Sequence, residues 1–178
     1  MRNLLSSELS ATPDTDSRPA AVLVVICGQI PHVIMTEKPK TMQPHGGEIS
    51  FPGGKMTDND AHLLDTAIRE TREELSLDVL PQQVIGQLRP VTTRNSGFTI
   101  TPFVAILDEI PQLRPNEEVE TILQMPLIPL LRTLRVDSDP EHRALFEAYV
   151  LSYQNKTIWG ASARILKQIA DIIGDMGT

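Results

Sequence analysis

The sequence lacks the features of several large classes of protein. Its single cysteine, Cys27, excludes an internal disulfide, so we expect a protein of a reducing, cytoplasmic compartment in which this thiol is a small core residue. The longest apolar run, AAVLVVIC at residues 20–27, is too short to cross a bilayer, so we expect no membrane partner. Residues 1–18 contain no long apolar segment and do not indicate a secretory signal.

A basic surface is also missing. The chain has 16 lysine and arginine residues against 23 aspartate and glutamate residues, and its net charge is −7. General nucleic-acid binding requires a basic footprint, so nucleic acid is not an expected partner. A small anionic substrate is compatible with this charge if something positive, such as a bound metal ion, offsets the repulsion locally.

Several catalytic motifs are absent as well. No P-loop occurs, because Lys55 is followed by Met56, and neither G-x-G-x-x-G nor G-x-S-x-G is found. The four histidines, at positions 32, 45, 62 and 142, show no local zinc-ligand spacing. The chemistry of this chain must therefore depend on other residues.

What is present is a pattern of strands and helices that suits one domain. With 178 residues, 40% of them apolar, the chain is long enough for a sizeable core. We divide it into a polar, mobile arm at residues 1–18 and a domain at residues 19–178. The order of its strands and helices predicts an α/β (α+β) fold in which helices pack on the faces of a mixed β-sheet.

The predicted elements follow from local periodicity and turn signals. Strands are expected as a hairpin within residues 20–37, as a short strand at 48–51, as runs at 84–91, 98–107 and 119–125, and as a pair at 145–153 and 156–160. Helices are expected at residues 62–76, 126–134 and 162–173. The prolines and glycines of residues 38–48 predict a loop.

The most informative stretch is AIRETREEL, residues 67–75, within the first predicted helix. Glu70, Glu73 and Glu74 are spaced i, i+3 and i+4, so they share an arc of about 100°, and such like charges cost a helix roughly a few tenths of a kcal/mol per pair. One interpretation, which the charge pattern alone favours, is a solvated acidic face partly neutralised by Arg69 and Arg72. The other is a Mg²⁺ or Mn²⁺ site, since hard cations bind clustered carboxylate oxygens.

Two glycines shift the balance towards a site. The stretch FPGGK, residues 51–55, predicts a tight turn before the helix, for which Asp60 is the predicted N-cap. Gly53 and Gly54 tolerate positive φ and allow the backbone to approach a ligand closely. The loop between this turn and the helix would then lie against the metal site.

The glycines and the acidic helix together resemble the Nudix box. That pattern has a glycine, five residues, an acidic residue, seven residues and then Arg-Glu-x-x-Glu-Glu-x-Gly-apolar, and the chain is similar to it from Gly54 to Leu77. Asp60 takes the acidic position. Eight residues, not seven, lie between Asp60 and Arg69, and Ser76 replaces the second glycine. The longer spacer resembles the coenzyme A pyrophosphatase branch of the Nudix hydrolases, whose box typically reads FPGGK…D…TALRE..EE.

An upstream motif of that branch is similar to residues 34–54. Its spacing is kept throughout, but Lys38 and Gln43 stand where the motif has arginines. Further similar segments occur at residues 96–104, 115–122, 125–127 and 158–166, so that the resemblance covers roughly residues 20–170. It implies a Nudix-type α/β/α sandwich.

The resemblance also implies roles for individual residues. In Nudix enzymes water attacks one phosphorus of a diphosphate while a divalent metal ion, Mg²⁺ or Mn²⁺, neutralises charge. Glu70 and Glu74 are implied as metal ligands, Glu73 as a supporting one, and Glu70 also as the group that orients or deprotonates the water. Arg69 is implied to hold the glutamates by ion pairing. Glu118 is implied as a further acid from outside the box, ahead of Glu117 and Glu120, with a solvated loop residue as the alternative.

Substrate contacts are implied at Lys38, Gln43 and the backbone of Gly53 and Gly54. Lysine offers a point charge in place of a planar arginine fork, and glutamine offers no charge, so both changes weaken recognition of an extra phosphate. Trp159 is expected in the core, with base stacking as the alternative.

Three functions are compatible with these residues. The first is hydrolysis of coenzyme A or acyl-coenzyme A to 3′,5′-ADP and (acyl-)4′-phosphopantetheine. The second is the same reaction on another nucleoside diphosphate derivative, such as a dinucleotide, ADP-ribose or a nucleotide sugar. The third is a non-catalytic nucleotide-binding Nudix module, against which the retained carboxylates argue. Many Nudix enzymes are dimers, so the resemblance leaves a homodimer open.

Overall fold

The computed structural model describes residues 18–42, 46–93, 96–109, 111–138 and 148–175. Gln43 and the predicted N-terminal arm, apart from Arg18, lie outside these residues. The first strand begins at Arg18, one residue before the predicted start of the domain. None of the helices in the described ranges is long and apolar enough to span a membrane.

A mixed β-sheet forms the centre of the fold, as the sequence predicts. Strand β1 (Arg18–Cys27) runs parallel to β7 (Phe98–Leu107) over its whole length. Strand β2 (His32–Glu37) returns antiparallel beside the end of β1 and also pairs with β8 (Thr121–Pro126). Strands β5 (Val84–Gln87) and β6 (Val91–Thr92) lie antiparallel to β7, so the single run predicted over residues 84–91 is two strands.

Two short strands fill an opening between β1 and β2, which pair only next to their turn. Strand β3 (Ile49–Ser50) pairs with β2, and β4 (Gly53–Lys55) pairs with β1. The tight turn predicted at Gly53 and Gly54 is therefore wrong, because both glycines belong to a strand. A Cβ on Gly53 would lie 2.6 Å from the Cα of Val22, so the close approach of β4 to β1 requires glycine at this position.

Helices cover both faces of the sheet. Helix α1 (Leu63–Leu75) packs on one face, and α2 (Leu127–Leu131) and α3 (Gly160–Asp175) pack on the other. A small antiparallel sheet of β9 (Arg135–Val136), β10 (Tyr149–Tyr153) and β11 (Lys156–Ile158) lies on the α3 side. The expected α/β/α sandwich is confirmed.

Strand β1 shows how the sequence supplies both cores. Its side chains alternate between the faces of the sheet, as in any strand. Ala21, Leu23 and Val25 belong to the core under α1, whereas Val22, Val24 and Ile26 belong to the core under α3. This alternation within one apolar run explains why the strand is buried on both sides. Cys27 is buried at its end, as expected.

Helix α1 agrees with the prediction to within one residue at each end, but the predicted N-cap is wrong. The helix follows His62, whose backbone N–H donates to the carboxylate of Asp65 at 3.1 Å. Asp60 is turned towards Arg69 instead. At the other end Ser76 has a φ of 54°, a left-handed conformation that favours glycine. This is the position at which the Nudix box carries its second glycine.

Candidate active site

Arg69, on helix α1, joins the loop before the helix to the glutamates of the helix. Its Nε and Nη2 donate to the two oxygens of Asp60, both at 2.9 Å, in a bidentate pair. Its Nη1 donates to Glu70 Oε1 at 2.9 Å and to Glu73 Oε2 at 3.2 Å, and Nη2 donates also to the carbonyl of Lys55 at 3.3 Å. All the N–H donors of the guanidinium therefore have acceptors.

Asp60 is the buried anchor of this network. Its side chain is only 3% exposed, and it also accepts hydrogen bonds from the Thr57 N–H, the Thr57 hydroxyl and the Thr66 hydroxyl. The Arg69 guanidinium holds the pKa of Asp60 well below its usual range, although burial acts in the opposite direction. Asp60 in turn raises the pKa of Arg69. The acidic residue of the box thus positions the arginine and does not cap the helix.

Glu70 lies against the backbone of β4 at Gly54. A Cβ on Gly54 would be 2.5 Å from the Cδ of Glu70, which is closer than real side chains pack. The space that a side chain would fill at Gly54 is therefore occupied by the Glu70 carboxylate. Arg69 holds this carboxylate from one side and the strand confines it from the other.

Glu74 is the most deeply buried of the three glutamates. It is 4% exposed, and within the described part of the chain its Oε2 has no hydrogen-bond partner. Burial raises its pKa to about 7, and the negative charges of Glu70 and Glu118 act in the same direction. The positive charge of Lys38 and a hydrogen bond from the Gly53 backbone oppose this rise. A buried carboxylate oxygen without a donor costs free energy unless a cation binds it.

A loop between β7 and β8 brings Glu118 towards Glu74. The loop closes the end of α1, because the Arg114 N–H donates to the Leu75 carbonyl at 2.9 Å and the Asn116 N–H donates to the Glu74 carbonyl at 3.1 Å. The side chain of Asn116 accepts the N–H of Glu118 at 2.9 Å. Glu118 is itself exposed, but it is held where its charge acts on Glu74.

The carboxylates have the chemistry of a site for a hard divalent cation, although they do not surround a single point. Among the residues that the structure describes, no three Asp, Glu, His or Cys side chains converge closely enough to hold an ion. Arg69 explains this, since it draws Glu70 and Glu73 towards its own guanidinium. The unsatisfied Oε2 of Glu74, close to the charge of Glu70, is the atom that a cation would satisfy first.

A cavity of about 540 Å³ lies next to these carboxylates, on the α3 side of β4. Its walls come from β1, β3, β4, the start of β7, β10 and the first turns of α3. Gly53 and Gly54 line the cavity, while Gly54 also touches Glu70. Strand β4 is therefore the shared edge of two compartments, with carboxylates on one side and the cavity on the other.

Lys38 lines the cavity and acts on the carboxylates as well. Its backbone N–H donates to the Glu48 carbonyl at 3.0 Å. The adjacent Glu37 carboxylate is paired with Lys156 at 2.6 Å, and within the described ranges Lys38 has no carboxylate at salt-bridge distance. Its charge nevertheless lowers the pKa of Glu74. Lys38 thus offers a positive charge between the cavity and the carboxylates.

The structure brings most of the predicted site residues together. Those on or beside α1 are Arg69, Glu70, Glu73, Glu74, Lys38, Gly53, Gly54 and Glu118. Trp159 is 43% exposed and lines the cavity, so its predicted place in the core is wrong. Sequence reasoning also missed a contact of Arg18 and Lys55 with Phe98, because it depends on strand register.

Known proteins are similar to this chain in sequence. The model of the NUDIX domain matches residues 17–149. An uncharacterized Nudix hydrolase, NudL, from Yersinia pestis (strain Pestoides F) is 33% identical over 159 residues, which cover 88% of this chain and 79% of that protein.

Solved structures are similar in fold. A MutT/nudix family protein from Enterococcus faecalis superposes with a TM-score of 0.62 at 13% identity, over 92% of this chain and 64% of that one. The NUDIX domain of Shewanella oneidensis NrtR, solved in complex with ADP ribose, superposes with a TM-score of 0.58 at 14% identity, over 90% of each chain. At such identities the likeness concerns the fold alone.

Proposed function

This chain belongs to the Nudix hydrolase family and is a pyrophosphatase-type hydrolase, and from that premise we propose that it cleaves the diphosphate linkage of coenzyme A or acyl-coenzyme A. The products would be 3′,5′-ADP and 4′-phosphopantetheine or its acyl form. The observation that supports the proposal most strongly is the buried, unsatisfied carboxylate of Glu74 beside Glu70, at the edge of a large cavity. The resemblance of the box and of the upstream spacing to the coenzyme A branch supports the substrate.

We assign Glu70 and Glu74 as ligands of a Mg²⁺ or Mn²⁺ ion, with Glu73 and Glu118 as supporting acids. When bound, such an ion supplies positive charge to the diphosphate and lowers the pKa of a water molecule. The burial of Glu74 favours this assignment because its Oε2 has no donor among the described residues, and the missing side chain at Gly54 leaves room for the Glu70 carboxylate beside the strand. Arg69 limits the directions in which Glu70 and Glu73 can turn.

In the proposed hydrolysis, individual residues of the chain act on the water molecule and on the substrate. The water oxygen forms a bond to one phosphorus while the bond from that phosphorus to the bridging oxygen breaks, so both products leave as phosphate monoesters. Glu70 is the candidate to orient the water and take its proton, because Arg69 and the backbone at Gly54 fix its position. Lys38 contributes a point charge towards the substrate at the edge of the cavity.

A second candidate is the same reaction on a dinucleotide, ADP-ribose or a nucleotide sugar. Lys38 replaces an arginine of the coenzyme A motif, and the structurally similar Shewanella domain was solved with ADP ribose. A non-catalytic nucleotide-binding module is the weakest candidate. Such a module has no need of a buried carboxylate whose acidic neighbours repel it.

A panel of substrates separates these candidates. The protein is incubated with Mg²⁺ or Mn²⁺ and coenzyme A, acetyl-coenzyme A, ADP-ribose, NADH or a diadenosine polyphosphate, and products are identified by mass. Fastest release of 4′-phosphopantetheine or its acyl form supports the first candidate. Turnover of only the other substrates replaces it with the second. Binding without turnover, with either metal ion, supports the third.

Glu74→Gln tests the assignment of the site, because it keeps the shape of the side chain and removes its charge. We expect turnover to fall by about a hundredfold or more, with an unchanged circular dichroism spectrum. Glu109→Gln is the matched control, since Glu109 is an exposed glutamate that is not a candidate ligand, and it should retain activity. Full activity of Glu74→Gln would show that the site is assigned wrongly.

A further inference from the structure

The strand β4 directs two neighbouring residues to opposite faces of the sheet. Gly54 faces Glu70 on the α1 side, as its contact distance shows. Side chains alternate along a strand, so the side chain of Lys55 points to the other face, where it lines the cavity. Gly54, which contacts the Glu70 carboxylate, and Lys55, whose side chain lines the cavity, are therefore consecutive residues of one strand.

Lys55 and Arg18 meet at the ring of Phe98. The Arg18 guanidinium carbon lies 4.2 Å from the ring centroid and the Lys55 ammonium lies 5.3 Å from it. Strand pairing causes this meeting, because Arg18 is opposite Phe98 and Lys55 is opposite Ala20, two residues further along the same strand. Arg18 Nη1 also donates to the Ser96 carbonyl at 2.9 Å, which orients the guanidinium.

This corner, formed by Arg18, Lys55 and Phe98, is positive in an acidic protein. The chain has a net charge of −7, and within the described residues neither cation has a carboxylate at salt-bridge distance. The acidic residues that line the cavity, Glu48 and Asp137, belong to other walls, before β3 and after β9. Two cations held together without acidic partners are electrostatically costly unless an anion joins them.

We propose that Arg18, Lys55 and Phe98 form a subsite for a phosphate carried on the ribose of the nucleotide, outside the scissile diphosphate. This proposal rests on the proposed function and specifies the substrate class as ribose-phosphorylated nucleotides. A phosphate monoester carries close to two negative charges near pH 7, which two cations can balance. Lys55 and Phe98 line the cavity together with Gly53 and Gly54, and Arg18 lies against the same ring, so a nucleotide in this cavity can place its ribose phosphate at the two cations and its diphosphate at the edge formed by β4. The coenzyme A motif has arginines at positions 38 and 43, where this chain has lysine and glutamine. The subsite adds positive charge to a chain that has lost one of those two cations.

Matched substrate pairs test the subsite. One pair is coenzyme A and 3′-dephospho-coenzyme A, and the other is NADPH and NADH, which differ by a 2′-phosphate. We expect kcat/KM of the intact enzyme to favour the ribose-phosphorylated member of at least one pair, and the pair that responds identifies the position of the phosphate. Equal values within both pairs would overturn the proposal and leave the proposed function standing.

Substitutions of Lys55 and Arg18 test whether these residues cause the preference for the ribose-phosphorylated substrate. Lys55→Met and Arg18→Met should each reduce the preference for the ribose-phosphorylated member by about tenfold, since one charge-assisted contact is lost. Lys167→Met is the matched control, because it removes another cation over an aromatic ring, 5.4 Å from the centroid of Tyr149, and should leave the preference unchanged. An equal loss on both members of a pair would instead place Lys55 on the diphosphate and overturn the proposal.

Measurements of nucleotide binding in the absence of turnover distinguish the proposed subsite from the proposed function. In the presence of a chelator, calorimetry compares 3′,5′-ADP with 5′-AMP, and 2′,5′-ADP with 5′-AMP. We expect the intact protein to bind one of the bisphosphates about tenfold more tightly and Lys55→Met to lose that difference. If this holds although no diphosphate is hydrolysed, the subsite is correct and the proposed function is not. Equal affinity for all the nucleotides would contradict the subsite.

Discussion

Asp60 and Glu74 are two buried carboxylates about helix α1 that differ in almost every other respect. Asp60 has a bidentate arginine and three hydroxyl or amide donors, and its pKa is lowered. Glu74 has one oxygen without a donor and two acidic neighbours, and its pKa is raised to about 7. Both side chains are buried, so their hydrogen-bond and charge partners decide whether the pKa falls or rises. A satisfied carboxylate stabilises the fold, whereas an unsatisfied one is available for a ligand.

Arg69→Met should have the largest effect, because it makes Asp60 resemble Glu74. The variant leaves a buried carboxylate without its cation, so we expect the free energy of unfolding to fall by about 3–5 kcal/mol in urea titrations. Arg72→Met removes an exposed arginine three residues away and should change it by less than about 0.5 kcal/mol. A loss below about 1 kcal/mol for Arg69→Met would show that Asp60 is satisfied by its other donors.

The pH dependence of stability should reveal Glu74 directly. Its pKa is raised from 4.5 in the unfolded chain to about 7, so the folded protein binds this proton more tightly. The metal-free protein should therefore become more stable as the pH falls from about 7 to about 4.5, with a maximum gain on the order of 3 kcal/mol. Asp60 has the opposite sign, and its contribution is lost only at lower pH, below its usual pKa of 3.8.

Glu74→Gln isolates that effect. The free energy of unfolding of the variant and of the parent protein is measured in a chelator at several pH values between 4.5 and 8. The difference between them should be largest at pH 8, with the variant more stable, and should shrink towards pH 4.5. A constant difference would mean that Glu74 is not the group that binds the proton.

Gly54→Ala should displace Glu70, the acidic neighbour of Glu74, without changing any charge. The new methyl group would lie 2.5 Å from the Cδ of Glu70, so this carboxylate must move. A displacement of this size in a catalytic group typically costs about a hundredfold in kcat/KM, and we expect a loss between about tenfold and a hundredfold. Gly174→Ala, where a Cβ would meet no atom within 4 Å, should leave kcat/KM unchanged.

Ser76→Gly should have the smallest effect on the free energy of unfolding, because it leaves Asp60 and Glu74 in place. Ser76 adopts a left-handed conformation at the end of α1, where glycine avoids a steric cost. We expect a gain of up to about 1 kcal/mol in the free energy of unfolding, with the same pH dependence as the parent protein. A lower stability would show that the serine side chain contributes a contact that outweighs its backbone strain.

Local sequence patterns were sufficient for most elements of the fold. The 3.6-residue spacing around Ala67 predicted α1 to within one residue at each end, and the run 98–107 coincides with β7. The boundaries of β4 could not be predicted in this way. Its residues include two glycines, which signal a turn locally, and they form a strand only because β1 offers an unpaired edge.

The sequence by itself identified the residues of the candidate site, because the acidic helix occurs together with the glycines and the spacing of the Nudix box, whereas the charge pattern alone favoured a solvated face. The spacing of Glu70, Glu73 and Glu74 and the arginine before them are local features, because a helix places residues i, i+3 and i+4 on one face whatever surrounds it. The periodicity of the chain likewise determined a mixed sheet between helices. These inferences needed no knowledge of distant contacts.

The tertiary structure decided which of these carboxylates is buried without a partner and where a substrate has room. Glu74 is desolvated because β4 and the loop at Asn116 pack over it, and Asp60 is satisfied because the chain folds back onto Arg69. Arg18 meets Phe98, 80 residues away, only through the parallel register of β1 and β7. Burial and long-range register arise from packing between segments distant in the chain, so no local pattern encodes them.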